Sequence, residues 1–221
     1  MGIPERKNYL MPILERMSRP YPDNHTVHIV CHGHSVPAGY KAIPVVDPFA
    51  AYPHQLYRLV KERYPFASLQ VIVTAVGGED AVHGARRMEC DVLCHKPDVL
   101  TIDYALNDRY CGAQAAEKAW REMIEKGLAY GCKILLMTPN WDRSCFRRDR
   151  MWQSLLEQAG QVRRLANAYG VGLVDFFDVF QRYEQAGGDP DDLLCAEDHP
   201  SSLGHRLLAR EIGHWFPAVQ G

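Results

Sequence analysis

Five short apolar runs, each separated from the next by a longer stretch with helical periodicity, constrain this chain most. The runs are Val27–Cys31, Leu69–Val76, Val99–Tyr104, Lys133–Thr138 and Val171–Val174. They are rich in Val, Ile and Leu and mostly lack strict alternation, as strands covered on both faces require. Between them, Ala116, Trp120, Met123, Ile124 and Leu128 recur at three- and four-residue spacing, which predicts a helix over Gln114–Tyr130 stopped by Gly131. Trp152, Leu155, Leu156, Ala159, Val162 and Ala166 predict another over Asp149–Tyr169, closed by Gly170. Pro53 suits a first helical position ahead of Leu56, Leu59 and Val60. His83–Cys94 reads as a further helix. Ser201 or Ser202 can cap a last one carrying Leu203, Leu207, Leu208 and Ile212. An amphipathic stretch, Tyr9–Met17, precedes the first strand.

Parallel strands need crossover connections, so strand and helix alternating five times predict an α/β fold with a five-stranded parallel sheet between two helical layers. The expected organisation is an amino-terminal helical extension over 1–26 and a single domain over 27–221. Sheets of this kind hold their sites in loops beyond the carboxyl ends of the strands. Function is therefore sought just after Cys31, Val73, Tyr104 and Thr138, and in the loop before the last helix.

Composition narrows the function classes. A formal net charge of −2 over 221 residues offers no nucleic-acid footprint. No apolar run approaches the roughly 18 residues of a membrane span. The first residues, Met1-Gly-Ile-Pro-Glu-Arg-Lys, lack the order of a secretory signal, and seven cysteines cannot pair completely within one chain. Free thiols in a reducing, cytoplasmic setting are the expectation. Cys90, Cys94 and His95 lack a second tight ligand pair, so no structural metal is expected. His32-Gly-His34 resembles the metal pair of barrel amidohydrolases, but that fold needs eight strand–helix units and about 250 residues.

Four loops carry chemistry. The first strand runs into Gly33-His34-Ser35-Val36-Pro37-Ala38-Gly39, which presents a serine hydroxyl at the sheet edge; a capping serine in a glycine-rich turn has the same signature. The second runs into Val73-Thr74-Ala75-Val76-Gly77-Gly78, whose small residues can turn N–H groups outward as an oxyanion site requires. The third ends in Ala105-Leu106-Asn107-Asp108, where the Asn side chain either donates to an oxyanion or serves a turn. Near the carboxyl end, Ala196-Glu197-Asp198-His199-Pro200 places an imidazole able to take a proton from Ser35.

In order and spacing, these four blocks resemble those of the SGNH, or GDSL-type, hydrolase family, over about residues 27 to 215. The resemblance implies a flavodoxin-like three-layer α/β/α sandwich and a serine esterase with no cofactor, acting on a small-molecule ester. Short acyl groups, acetyl on a carbohydrate among them, suit the family. Ser35 would be nucleophile and His199 general base. The backbone N–H groups of Ser35 and Ala75 and the amide of Asn107 would line the oxyanion hole. Two positions depart from the pattern. His34 replaces an Asp and is a candidate for touching substrate. Ala196 replaces the triad Asp, leaving Glu197, Asp198 or a backbone carbonyl to orient the imidazole. Glu197 is favoured because its longer side chain can span a shifted backbone. In the loop after the fourth strand, Trp141 could stack on a sugar and Arg143 could hold an anionic group. The two departures also admit a different class, a non-catalytic relative that binds an acylated or glycan ligand.

Overall fold

The computed structural model describes residues 2–218; Met1 and the last three positions of the expected domain, 219–221, lie outside the described residues. All five apolar runs form strands: β1 (Thr26–Gly33), β2 (Ser68–Val73), β3 (Val99–Asp103), β4 (Lys133–Met137) and β5 (Gly172–Val174). They pair in parallel in the order β2-β1-β3-β4-β5. This is the flavodoxin-like strand order, and its switch point lies between β1 and β3, where connections leave toward opposite faces. The run predicted as Leu69–Val76 leaves regular strand at Val73. Even so, Thr74 and Val76 still donate their N–H groups to the Cys31 and Gly33 carbonyls, each at 3.0 Å.

The helices are α1 (Arg6–Tyr9), α2 (Met11–Ser18), α3 (Ser35–Ala38), α4 (Tyr52–Arg63), α5 (Ala81–Arg86), α6 (Ala113–Tyr130), α7 (Ser144–Arg147), α8 (Arg150–Tyr169), α9 (Phe176–Gln185) and α10 (Ser202–Gly213). Side chains alternate across each strand, and the buried residues fall into two clusters, one on each face. Val27, Ile29, Cys31, Leu135 and Met137 pack with α2, α4, α9, α10 and the first half of α8. Val30, Leu100, Ile102, Ile134 and Leu136 pack with α5, α6 and the second half of α8. The segment expected as an added extension buries Leu10, Ile13, Leu14 and Met17 in the first of these clusters.

Cap chemistry sets the helix boundaries. The Asp149 carboxylate accepts from the Met151 and Trp152 N–H groups, and Ser201 Oγ accepts from Leu203 and Gly204. Pro53 stands second in α4, after Tyr52. The helix expected over His83–Cys94 is not continuous. α5 stops at Arg86, a wider turn over Met88–Val92 follows, and a tight turn over Leu93–His95 leads to Lys96 at φ +53. The wider turn keeps Met88 and Val92 buried while Arg87 is held outside them by Glu79, Asp91 and the Thr74 carbonyl. Among the described residues no helix is long and apolar enough to cross a membrane.

Candidate active site

Ser35 opens the four-residue helix α3 directly beyond β1. Gly33 permits this turn, since a Cβ there would stand 2.6 Å from the Asp103 carbonyl and 2.8 Å from Pro37 Cγ. His34 Nδ1 caps the turn by accepting the Val36 N–H at 3.4 Å. The turn closes at Gly39, whose φ of +91° an L side chain rarely adopts.

His199 reaches the same point from the loop before α10. The Ser35 hydroxyl donates to its Nε2 at 2.9 Å across 164 residues of sequence. Both groups are largely buried, 8 % exposed for Ser35 and 7 % for His199. The opposite ring nitrogen, Nδ1, lies 3.4 Å from Asp198 Oδ1. The His199 pKa lies below the ordinary histidine value. Burial is the largest cause, the Asp198 charge draws it back up, His34 lowers it, and the Lys41 carbonyl raises it. The ring is thereby neutral at neutral pH, with Nδ1 facing acceptors and Nε2 free to receive a proton. Tyr40, just past α3, stacks on the imidazole at 6.1 Å between centroids.

Asn107, in the loop after β3, donates through Nδ2 to the Glu79 carbonyl at 2.8 Å. That bond ties it to the Gly77-Gly78-Glu79 turn. A Cβ at Gly77 would meet the Tyr40 ring at 2.7 Å, so this turn stands against the aromatic that covers His199. Ser35 after β1 and Asn107 after β3 thus flank the switch point of the sheet.

Several expected site residues lie elsewhere. Glu197 is exposed, and only its carbonyl is engaged, accepting the Arg143 N–H at 2.8 Å. The Cys195 N–H donates to the His199 carbonyl at 3.0 Å, and this turn directs Asp198 rather than Glu197 to the imidazole. Ala75 is turned away from β1, because Thr74 and Val76 on either side point their N–H groups toward it. Ala75 instead lines an outer cleft with Arg87, Cys90, Asp91 and Cys94. Trp141 is 1 % exposed, edge-on to Trp152 at 4.9 Å, with the Arg148 guanidinium 5.0 Å from its ring, and so offers no face to a sugar. Arg143 is paired with Asp191 at 2.9 Å. His34 is fully buried behind Ser35 and presents no surface to solvent.

Sequence reading also missed two supports. Arg109 and Asp142 form a buried pair at 2.6 Å, joining the loop after β3 to the loop after β4. Asp142 Oδ1 also accepts the Ser144 N–H at 3.0 Å. Asp108 is buried and accepts from Ala81 N–H at 2.8 Å and Trp120 Nε1 at 2.6 Å, with its pKa raised to about 6 by burial. The sequence signal for both was Asn107-Asp108-Arg109 itself, a charged run at a strand end. Among the described residues no group of three or more His, Cys, Asp or Glu side chains is arranged to hold a metal ion.

Comparison with known proteins agrees with this architecture. Solved structures with the same fold include the acetylxylan esterase Axe2 from Geobacillus stearothermophilus, at 21 % identity and a TM-score of 0.75, covering 86 % of this chain and 94 % of that one. A lipase/acylhydrolase from Enterococcus faecalis superposes at a TM-score of 0.70 with 24 % identity, covering 88 % of this chain and 100 % of that one. No curated protein matches the sequence. The GDSL-like lipase/acylhydrolase family matches residues 31–207. With that match spanning most of its length, the chain belongs to the GDSL-like lipase/acylhydrolase family of carboxylic ester hydrolases.

Proposed function

We propose that this protein is a serine esterase that removes short acyl groups, acetyl on a carbohydrate among them, through an acyl-enzyme. The observation that carries the reading is the 2.9 Å contact between Ser35 Oγ and His199 Nε2. His199 takes the hydroxyl proton as Oγ attacks the ester carbonyl, then passes it to the departing alkoxide. Water, deprotonated by the same ring, releases the acid. Burial keeps the imidazole neutral and ready, and the Asp198 carboxylate stabilises the charged ring once the proton arrives.

The developing oxyanion falls to the Ser35 N–H and the second Nδ2 hydrogen of Asn107, the first being committed to Glu79. The third donor assigned from sequence to Ala75 moves to the Gly77-Gly78 turn. That turn lies beside Asn107 and Tyr40, and at Gly78 the backbone has φ +80° with open space around the Cβ position. The short acyl preference is supported by structural neighbours that are acetylxylan esterases, at 21 % identity.

A fluorophosphonate probe is expected to label the wild type and not Ser35→Ala. Turnover of p-nitrophenyl acetate should exceed that of longer p-nitrophenyl esters, and acetylated xylo-oligosaccharides should be deacetylated. Labelling that persists in Ser35→Ala removes the nucleophile assignment. Absent turnover with saturable binding of an acetylated glycan makes the protein a binder instead.

A further inference from the structure

We propose that His34 and Asp103 form a second histidine–carboxylate pair on Ser35, in which His34 Nδ1 is an alternative acceptor for the serine proton. The inference rests on Ser35 being the nucleophile and goes beyond the Ser35–His199 couple.

His34 Nδ1 lies 3.3 Å from Ser35 Oγ. The same nitrogen accepts the Val36 N–H, so it carries no proton, and the ring hydrogen sits on Nε2. The Nε2 atom faces Asp103 Oδ1 at 3.5 Å, and both residues are buried, 0 % and 1 % exposed. Neither atom has a hydrogen-bond partner among the described residues. Each therefore faces the other at ion-pair range. The second carboxylate oxygen accepts the Tyr52 hydroxyl at 3.1 Å. Sheet register fixes the arrangement, because Asp103 pairs directly with Gly33, one residue before His34.

A capping role accounts for Nδ1 alone. Asn, Asp or Ser would provide that acceptor without a second buried group. Placing a carboxylate behind Nε2 adds nothing to the cap and imposes the desolvation of a buried charge. It does stabilise an imidazolium, which is what a proton acceptor needs. In this route Nδ1 releases the Val36 N–H, the Ser35 O–H bond breaks, and the proton moves onto the freed Nδ1 lone pair. The oxygen electron pair forms the bond to the acyl carbon, and the carbonyl π pair moves onto the carbonyl oxygen. Collapse of the adduct expels the alkoxide, which takes a proton from water; the hydroxide attacks the acyl carbon, and Ser35 Oγ leaves and takes its proton back from Nδ1, the atom it touches. The shorter His199 contact carries the main flux, and His34 supplies the residual one.

The test is a pair of backgrounds. His34→Asn keeps a cap acceptor and removes the base. In the wild-type background it should lower p-nitrophenyl acetate turnover by the smaller factor, because His199 carries the main flux there. In His199→Ala it should remove about 10-fold or more of the turnover that remains above Ser35→Ala, and Asp103→Asn should do likewise. An equal factor in both backgrounds, or no turnover in His199→Ala above Ser35→Ala, overturns the second base. A readout independent of activity is the His34 ring tautomer by nitrogen-15 NMR. A neutral ring protonated on Nε2 is expected; a proton on Nδ1 overturns the pair. Wild-type protein inactive on every ester would fail the esterase reading, while the tautomer still decides the pair.

Discussion

Asp198 Oδ1 lies 3.4 Å from Nδ1 of His199, the very next residue in the chain. In the proposed mechanism this carboxylate, adjacent in sequence to the base, takes the place of an acid three residues earlier. Its side chain is 38 % exposed, so solvent screens part of its field at the ring. Asp198→Asn is expected to lower kcat/KM on the order of 10-fold, short of the roughly 10⁴-fold seen for the buried acid of the serine-protease triad. Glu197→Gln should stay within about 2-fold, since that side chain points to solvent. Equal losses for the two variants, measured with p-nitrophenyl acetate, would return Glu197 to the triad.

Activity should follow the His199 titration. In the proposed mechanism the neutral ring is the base, so kcat/KM is expected to rise as pH climbs through its pKa and then level. Burial holds that pKa below the ordinary histidine value, which places the acid limb below about pH 6.5. The Asp198 charge raises this pKa, so Asp198→Asn should carry the limb to still lower pH. A limb moving upward in the variant would contradict the contact.

Two buried histidines make folding stability sensitive to acid. Burial, first among the causes, lowers His32 to about 4 and His205 to about 3. The unfolded chain binds these protons from about pH 6.5 downward, while the folded chain resists them. Their contribution is complete above about 6.5 and shrinks as pH falls toward the folded values, by up to about 1.4 kcal/mol per pH unit per ring. Asp108, raised to about 6, acts in the opposite sense between about pH 6 and 4. In His205→Gln the fall in urea midpoint between pH 6.5 and 4 should be shallower by about one proton's worth. An unchanged slope would show that this ring does not titrate with unfolding.

Breaking the Arg109–Asp142 pair should cost more than breaking an exposed one. Their side chains are 3 % and 8 % exposed, and the contact is 2.6 Å. Removing one partner leaves a buried charge, which costs about 3–5 kcal/mol. Arg109→Ala should therefore lower the urea midpoint strongly, whereas Arg121→Ala, breaking a surface pair with Glu117, should stay within about 1 kcal/mol. Equal effects would mean the buried pair is solvated in practice.

Much of the fold was legible in the chain. Val27–Cys31 and its four counterparts read as strands because burial on both faces demands continuous apolar runs. Gly131, Gly170 and Ser201 marked helix ends through local backbone and cap chemistry. α9 was not read, although Phe176, Phe177, Val179 and Phe180 are all buried along it, because it follows β5 with no intervening loop to announce it. The helix read as continuous over His83–Cys94 is interrupted at Arg87, whose guanidinium is held by Glu79, Asp91 and the Thr74 carbonyl, contacts that no local pattern announces.

By itself, the sequence determined which residues form strands and helices and that Ser35, Asn107 and His199 share the carboxyl edge of one sheet. Periodicity and turn chemistry are local, and a parallel sheet collects its loops on one side. Only the tertiary structure decided which carboxylate lies beside the imidazole, that Ala75 faces outward, that Trp141 is core, and that Asp103 stands behind His34. Those outcomes depend on side-chain direction and strand register, where a displacement of one residue exchanges one face for the other.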